Sequence, residues 1–139
     1  MTAAVLGAVL AVLAVRAALV VVTVRGGSME PALRDGDRVI VARWARRRVR
    51  REAVVVCRAP DGLVLPGRRP TVAADGVLLV KRVAALAGDP QPGGGVVPAG
   101  HIYVLGDAGP GLDSGEFGPI PVAAVVGPVI ARLGGSHSS

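Results

Sequence analysis

A serine at position 28 and a lysine at position 81 are the candidate residues for nucleophilic catalysis in this 139-residue chain. Lys81 is the only lysine beside fifteen arginines, and it follows the apolar run at residues 77–80. Arginine keeps its proton in a protein, whereas a lysine in apolar surroundings can lose it and then act as a base. Position alone equally allows a strand-end lysine whose ammonium lies in water.

Ser28 needs a partner that accepts its hydroxyl proton, because a serine hydroxyl alone is a weak nucleophile. The chain has two histidines. His137 lies in the polar C-terminal tail, and His101 opens a predicted strand, where packing or a surface position is the ordinary role. Lys81 is therefore the candidate base, and burial would have to lower its pKa from about 10.4 toward neutrality. The combination predicts a Ser/Lys hydrolase.

Two glycines precede the candidate nucleophile, in the segment Gly26-Gly27-Ser28-Met29-Glu30-Pro31. Without side chains, Gly26 and Gly27 would let the backbone come close to a substrate. The N–H of Ser28 could donate a hydrogen bond to the oxyanion that develops on an attacked carbonyl group. This segment is the candidate oxyanion and substrate region.

The elements that must position these residues begin with an apolar segment at residues 2–24, in which Arg16 is the one charge. As a helix it would reach roughly 30 Å, enough to cross a hydrocarbon core. No Lys or Arg precedes position 16, and no small-residue cleavage site is followed by a convincing mature start, which argues against a cleaved signal peptide. Residues 2–24 are predicted to form one transmembrane helix that anchors the chain.

Short valine-rich runs alternate with Gly, Pro and Asp turns after this anchor, a pattern typical of a compact β domain. The predicted fold is therefore mainly β with one N-terminal transmembrane helix. The β domain is expected at residues 25–133, with a disordered tail at 134–139. Strands are predicted at residues 38–42, 53–58, 62–65, 77–84, 101–105 and 123–131.

The core of this domain must be built from Val, Leu, Ile and Ala, because the chain has one Trp, one Tyr and one Phe. Its single cysteine, Cys57, excludes an internal disulfide. Cys57 follows the apolar residues 54–56, so its expected role is packing rather than reactivity.

The net charge of +6 is concentrated in a cluster of arginines between Arg43 and Arg51. Nucleic acid is not expected as a partner, since no interleaved aromatics, zinc pattern or helix-turn-helix signature accompanies the cluster. Beside a membrane anchor, an anionic lipid surface with Trp44 at the interface is one interpretation. A solvated basic loop is the other.

A series of short motifs then follows in a fixed order along nearly the whole chain. They are Ser28-Met29-Glu30-Pro31-Ala32-Leu33, Gly36-Asp37-Arg38-Val39-Ile40-Val41, Lys81-Arg82-Val83 with Gly88-Asp89, Tyr103-Val104-Leu105-Gly106-Asp107, Asp113-Ser114, and Phe117-Gly118-Pro119-Ile120-Pro121. Each motif alone is weak, but their order and spacing together resemble bacterial signal peptidase I.

This resemblance implies a membrane-bound serine endopeptidase on an all-β fold that cleaves signal peptides from exported precursor proteins. Ser28 would be the nucleophile and Lys81 its general base, and no cofactor or metal is implied. Cleavage would follow small residues at the −1 and −3 positions. Met29 and the nearby Val and Ile strands would form small pockets for alanine-sized side chains.

The last motif departs from the family pattern Gly-Asp-Asn-x-x-x-Ser-x-Asp-Ser-Arg and is one residue shorter. Ala108 replaces the asparagine, and Gly111 stands where a serine would help to hold the lysine. Gly115 replaces the arginine that would pair with Asp113. The dyad is intact, but several polar side chains that would support it are missing. Lower activity or narrower substrate choice is therefore expected.

Four residues are candidates for supporting the dyad despite these departures. Arg82 is expected to pair with either Asp107 or Asp113. Ser114 is expected to replace part of the missing hydroxyl function. The sequence leaves both points open.

Two other classes of protein share some of these features. Self-cleaving Ser/Lys repressors use the same catalytic logic, but they carry a DNA-binding head where this chain has an apolar segment. The alternative from another class is a non-catalytic or weakly active membrane-anchored β module that binds exported peptides or a lipid surface. Gly111 and Gly115 favour that alternative, whereas Ser28 and Lys81 oppose it.

The orientation in the membrane is a point on which charge and resemblance disagree. Arg25, Arg34 and Arg38 follow the anchor, so charge bias alone would place the β domain in the cytoplasm. A signal peptidase acts where precursors emerge, and we therefore expect the catalytic domain on the extracytoplasmic face of the cell membrane.

Overall fold

The computed structural model describes residues 2–60, 71–73, 76–109, 111 and 113–134. More of the described residues lie in strands than in helices, and the predicted mainly β architecture is confirmed. The elements are helix α1 (Thr2–Ala18), strands β1 (Leu19–Thr23), β2 (Arg38–Ala42), β3 (Val54–Arg58), β4 (Thr71–Ala73), β5 (Gly76–Leu86) and β6 (His101–Leu105), helix α2 (Ser114–Phe117), and strands β7 (Ile120–Pro121) and β8 (Val125–Gly134).

Helix α1 is shorter than the predicted anchor, because it ends at Ala18. The residues that follow form β1, which pairs with β2 so that Leu19 lies opposite Ala42 and Thr23 opposite Arg38. Valine and threonine favour an extended backbone, and β2 supplies hydrogen-bonding partners. Among the described residues, no helix combines the length and the apolar character needed to cross a bilayer.

The strands form an antiparallel sheet in the order β1-β2-β8-β3-β5-β6-β7, and β4 pairs with β5. Strand β8 connects the two halves of this sheet, since its residues 125–128 pair with β3 and its residues 129–134 with β2. At the crossing, a Cβ on Gly127 would overlap the carbonyl group of Ala42. Only glycine fits there, so this residue lets β8 serve both halves.

Two valine-rich clusters form most of the core. The first packs residues of the loop between β1 and β2 against β2 and β5, and the second packs β3 against β5 and β6. Cys57 is fully buried in the second cluster, so its predicted packing role is confirmed. The first contains Met29, Leu33, Val39, Val41 and Val80, and the second Val55, Val83, Ile102 and Val104.

The predicted strands agree with the structure to different degrees. Strands β2 and β6 have the predicted bounds, and β3, β5 and β8 differ from them by one to a few residues. Strands β1, β4 and β7 and helix α2 were not predicted. The predicted strand at 62–65 and residues 135–139 of the predicted tail lie outside the described residues, and Gly134 belongs to β8.

Candidate active site

Ser28 lies in the loop between β1 and β2. Two hydrogen bonds join the ends of this loop. The Val24 N–H donates to Asp37 O at 2.7 Å, and the Gly36 N–H donates to Val24 O at 2.8 Å. Met29, the residue after Ser28, is fully buried in the first core cluster. The backbone of Ser28, the candidate nucleophile, is therefore fixed by its buried neighbour, while Ser28 itself is half-buried.

The two predicted substrate glycines have different surroundings. Gly26 has a φ of 83°, a conformation that favours glycine, and its N–H donates to Asp35 Oδ1 at 2.7 Å. This bond is used to close the loop, which removes the Gly26 N–H as an oxyanion donor. A Cβ on Gly27 would meet the Glu30 carboxyl group at 3.5 Å, an ordinary contact, so space alone does not require glycine there.

Met29 cannot form the predicted substrate pocket. Its exposed fraction is 0%, so its side chain offers no surface to a peptide. The reason is its position: the turn that carries Ser28 needs an apolar anchor in the first core cluster, and Met29 supplies it together with Leu33. The Leu33 N–H donates to Met29 O at 2.9 Å, which completes this turn.

Lys81 is buried in the middle of β5, with an exposed fraction of 2%. It lies opposite Val55 of β3, and its sequence neighbours include the buried residues Val80 and Val83. This burial distinguishes Lys81 from a strand-end lysine whose ammonium lies in water.

Ser28 and Lys81 converge on Gly106, the residue after β6. A Cβ built on Gly106 would lie 3.3 Å from Ser28 Cβ and 3.5 Å from Lys81 Nζ, so both groups flank the same point. The same Cβ would lie 2.9 Å from Ser28 O, closer than real side chains approach a backbone oxygen. The Ala108 N–H also donates to Ser28 O at 2.9 Å. The backbone at 106–108 therefore fits closely against Ser28, and only glycine fits at position 106.

Gly106 and Ala108 were not predicted as site residues. The signal that could have indicated Gly106 is the Gly106-Asp107 pair within the last motif. The contact with Ser28 depends on the path of the chain after β6, which residue types do not reveal.

Arg82 pairs with Asp107, one of the two partners that the sequence allowed. The guanidinium donates from Nε to Asp107 Oδ1 and from Nη2 to Oδ2, both at 2.8 Å, and from Nη1 to Glu52 O at 2.7 Å. These hydrogen bonds raise the pKa of Arg82 and lower the pKa of the Asp107 carboxyl. The pair ties the residue after Lys81 to the residue after Gly106.

Glu52 is a further supporting residue that the sequence did not indicate. It is the one described non-glycine residue with a positive φ, at 69°, and its N–H donates to Val83 O at 2.9 Å. This conformation turns the Glu52 carbonyl toward Arg82 and holds the segment before β3 against β5.

Asp113 and Ser114 fix the segment that follows Asp107. Asp113 accepts from the Gly106 N–H at 3.3 Å and from the Gly115 N–H at 2.9 Å, so backbone donors bind the carboxylate that an arginine would pair with in the family pattern. The buried Ser114 hydroxyl accepts from the Val104 N–H at 2.9 Å. Both residues therefore hold Gly106 and the end of β6 in place.

Cys57 is a buried thiol within electrostatic range of Lys81. Burial raises the pKa of the Cys57 thiol to about 12, and the positive charge of Lys81 opposes this rise. The thiol is protonated at neutral pH, so Cys57 is neither a nucleophile nor a counter-ion for the lysine.

His101 lies too far from Ser28 to be its base. It begins β6, whereas Gly106 follows the end of this strand, so about 17 Å of extended chain separate them. The His101 Nδ1 is 2.9 Å from Ala99 O at the other end of the strand. The geometry thus leaves Lys81 as the basic group that converges with Ser28 among the described residues.

Comparison with protein families matches residues 1–90 to the model described as signal peptidase, peptidase S26. The matched region covers more than half of the chain and contains both Ser28 and Lys81. It ends before Gly106 and before the segment that departs from the family pattern. No curated protein matches the chain significantly.

Proposed function

The chain belongs to the signal peptidase family, peptidase S26, and on this premise we propose that it is a membrane-bound serine endopeptidase that removes signal peptides from exported precursors. The observation that carries the proposal is the convergence at Gly106, where Ser28 Cβ and Lys81 Nζ flank one point at 3.3 Å and 3.5 Å. A half-buried hydroxyl beside a buried amine is the arrangement that a Ser/Lys dyad requires.

In the proposed first step, Lys81 Nζ takes the proton of Ser28 as Ser28 Oγ attacks the carbonyl carbon of the scissile peptide bond. The carbonyl π electrons move to its oxygen, which becomes the oxyanion of a tetrahedral intermediate. The Ser28 N–H is the proposed donor to this oxyanion, with Gly27 next to it, since the Gly26 N–H already binds Asp35.

In the proposed second step, the Lys81 ammonium gives its proton to the leaving amine, the C–N bond breaks, and the signal peptide stays on Ser28 as an ester. Lys81 is then neutral again and takes a proton from water, whose oxygen attacks the ester carbonyl. The C–O bond to Ser28 breaks, Ser28 regains a proton from Lys81, and the signal peptide leaves with a new carboxyl group.

The supporting residues act through the position of Gly106. Arg82 with Asp107, and Asp113 through the Gly106 N–H, hold the chain after β6 against Ser28 and Lys81. Because catalytic geometry must be kept within fractions of an ångström, loss of either contact is expected to lower turnover without removing a reacting group.

The proposed substrates are exported precursors with small residues at −1 and −3, a preference that rests on the family. A pocket for a methyl group rejects larger groups by overpacking, at about 1–3 kcal/mol each. Since Met29 has no exposed surface, we propose that the pocket walls come from half-exposed residues beside Ser28.

We further propose that α1 inserts into lipid and that the β domain lies on the extracytoplasmic face. None of the α1 side chains is buried, and apolar residues such as Leu6 and Leu10 are 59% and 58% exposed. An exposed apolar patch of this length marks an interaction surface. Protease treatment of intact spheroplasts should digest residues 30–139, and full protection would contradict the orientation.

The experiment that tests the proposed hydrolysis is active-site acylation. Purified protein is treated with a serine-directed acylating inhibitor and digested, and mass spectrometry locates the adduct. We expect the adduct on Ser28, its absence in Ser28→Ala, and loss of precursor cleavage in that variant with unchanged membrane association. An adduct confined to other residues would favour the non-catalytic module that binds peptides or lipid, and full turnover by Ser28→Ala would show that Ser28 is not the nucleophile.

A further inference from the structure

We propose that a cleft beside the end of α1 binds the headgroup of an anionic phospholipid. The cleft has a volume of about 420 Å³ and lies between the last turns of α1, the turn after β2, and the ends of β3 and β8. Three arginines and the only tryptophan line it, together with small apolar residues. The lining residues include Arg43, Arg46, Arg58, Trp44, Ala17 and Val125.

The three arginines come from two separate segments and meet at one site. Arg43 begins the 3₁₀ turn Arg43–Ala45, Arg46 follows that turn, and Arg58 is the last residue of β3. The Arg58 Nη1 donates to Ala123 O at 3.3 Å, which fixes this guanidinium at the rim. Guanidinium groups present several N–H donors that match the oxygens of a phosphate.

The rest of the cleft suits the apolar part of a lipid better than a free anion. Ala14, Ala17 and Ala18 of α1 form one wall, and Trp44 is 63% exposed at the edge. Tryptophan is enriched where headgroups meet acyl chains, because its indole is both apolar and a hydrogen-bond donor. The cleft therefore combines cationic donors for a phosphate with apolar surface for the adjoining chains of a phospholipid.

The location fits a membrane-facing role. Helix α1, whose apolar residues are exposed, ends at the cleft and leads directly into β1. Strand β1 then runs five residues, about 17 Å, toward the loop that holds Ser28. A headgroup bound in the cleft would set the height of Ser28 above the lipid. The inference concerns binding of lipid and does not depend on peptide hydrolysis.

The test uses the full chain diluted from mild detergent into vesicles of phosphatidylcholine with or without phosphatidylglycerol. Trp44 is the reporter, because it is the only tryptophan and its emission shifts to the blue when it leaves water. The quantity compared is the ratio of the partition coefficients into the two kinds of vesicle. The contribution of α1 is common to both and cancels in this ratio.

We expect Arg43→Gln/Arg46→Gln/Arg58→Gln to lower that ratio on the order of 100-fold, since each arginine near an anionic surface contributes about five-fold. The double variant Arg43→Gln/Arg46→Gln, which leaves the Arg58 bond to Ala123 intact, should lower it about 25-fold. Circular dichroism checks that both variants are folded.

The matched control is Arg47→Gln/Arg48→Gln/Arg50→Gln, which removes the same number of positive charges from arginines that do not line the cleft. We expect a loss of no more than about ten-fold, because screening weakens charges that lie away from the bound headgroup. Equal losses in the two triple variants would overturn the cleft in favour of diffuse attraction. If soluble glycerol phosphate abolished the preference for vesicles that contain phosphatidylglycerol, the cleft would bind a free phosphate and not a lipid. Binding of duplex DNA that is lost only in the cleft variants would also overturn the proposal.

Discussion

The two ends of strand β1 lead to regions with opposite character. Beyond Thr23 lies the loop of Ser28, whose backbone is held by the buried Met29 and by the Ala108 N–H. Before Leu19 lies α1, which has no buried residue and which lines the cleft together with the arginines. One region is built from close contacts between a few atoms, and the other from many exposed side chains of one kind.

This difference predicts how each region responds to substitution. At Gly106 a single added carbon would come within 2.9 Å of Ser28 O, so the site depends on individual atoms. On α1 the apolar side chains are individually exposed, and any one of them contributes little to folding. Substitutions in the two regions test this contrast, and the largest effects are expected around Ser28 and Lys81.

The largest effect is expected at Lys81, because the proposed chemistry requires a group that accepts and returns a proton. Lys81→Met keeps an unbranched apolar stem in the buried site and removes the amine. We expect it to fold and to lose about 10²–10⁴ in kcat, the usual contribution of a general base. Lys81→Arg should be equally inactive, because guanidinium keeps its proton.

The measurement is cleavage of a peptide with alanine at −1 and −3, followed across pH. Wild-type kcat should rise with pH as the neutral amine becomes populated, and the residual rate of Lys81→Met should lack this limb. Arg132→Lys is the control, because it exchanges one cationic side chain for another at an exposed position. If Lys81→Arg were active, Lys81 would have a structural role and would not be the general base.

The next effect concerns Gly106, where backbone contact rather than chemistry sets the requirement. Gly106→Ala should lower kcat by about 10²-fold, because the added Cβ forces Ser28 and Lys81 apart. Gly111→Ala is the matched control in the same segment, since a Cβ there meets nothing within 4 Å. Equal activity of the two variants would show that the contact at Gly106 does not position the dyad.

Ser114 tests whether the end of β6 is held by one buried bond. Ser114→Ala removes the acceptor of the Val104 N–H, a buried donor, and should lower the free energy of unfolding by about 1–3 kcal/mol. Cleavage should be reduced less than in Ser28→Ala. Urea denaturation gives the first quantity, and a stability equal to wild type would mean that Val104 finds another acceptor.

The pair of Arg82 and Asp107 should contribute less, since the two side chains are 31% and 20% exposed. Asp107→Asn is expected to lower the free energy of unfolding by about 0.2–1 kcal/mol at neutral pH. Hydrogen bonding to Arg82 lowers the pKa of the Asp107 carboxyl, so the contribution is complete above the unfolded value of about 3.9 and is lost as pH falls through the folded value.

The stability difference between wild type and Asp107→Asn should therefore narrow below about pH 4. The exposed variant Glu116→Gln serves as the control for removing one negative charge. A difference that widens toward acid would contradict the assigned partner.

Much of the fold could be predicted because strands that are bounded by turn residues carry a local signal. Strand β2 follows Asp35-Gly36-Asp37 and β6 follows Gly100, and both have the predicted bounds. Strand β1 was hidden because it continues an apolar run without a turn, and its identity depends on pairing with β2. The short α2 begins after the Asp113 cap, and the same carboxylate accepts from the Gly106 N–H of a separate segment, a contact that residue types do not reveal.

The candidate site was predictable in its residue types and not in its contacts. Ser28 and Lys81 stand out because the chain has few serines and one lysine. The contact of Gly106 with Ser28 and the Glu52 carbonyl that binds Arg82 arise from backbone geometry between distant segments. Met29 was assigned to the wrong environment, since an apolar residue beside a nucleophile can line a pocket or anchor a turn, and only burial distinguishes these roles.

The smallest effect should occur on α1, and it completes the contrast between the two ends of β1. Leu10→Ala truncates a side chain that is 58% exposed, and should change the free energy of unfolding of the detergent-solubilised chain by no more than about 0.5 kcal/mol. Met29→Ala is the matched truncation at a site with 0% exposure, and should cost about 2–5 kcal/mol, because it leaves a cavity beneath Ser28. Urea denaturation followed by circular dichroism measures both. If Leu10→Ala destabilised the β domain as much as Met29→Ala does, α1 would be part of the folded core, and its exposed apolar surface would no longer support insertion into lipid.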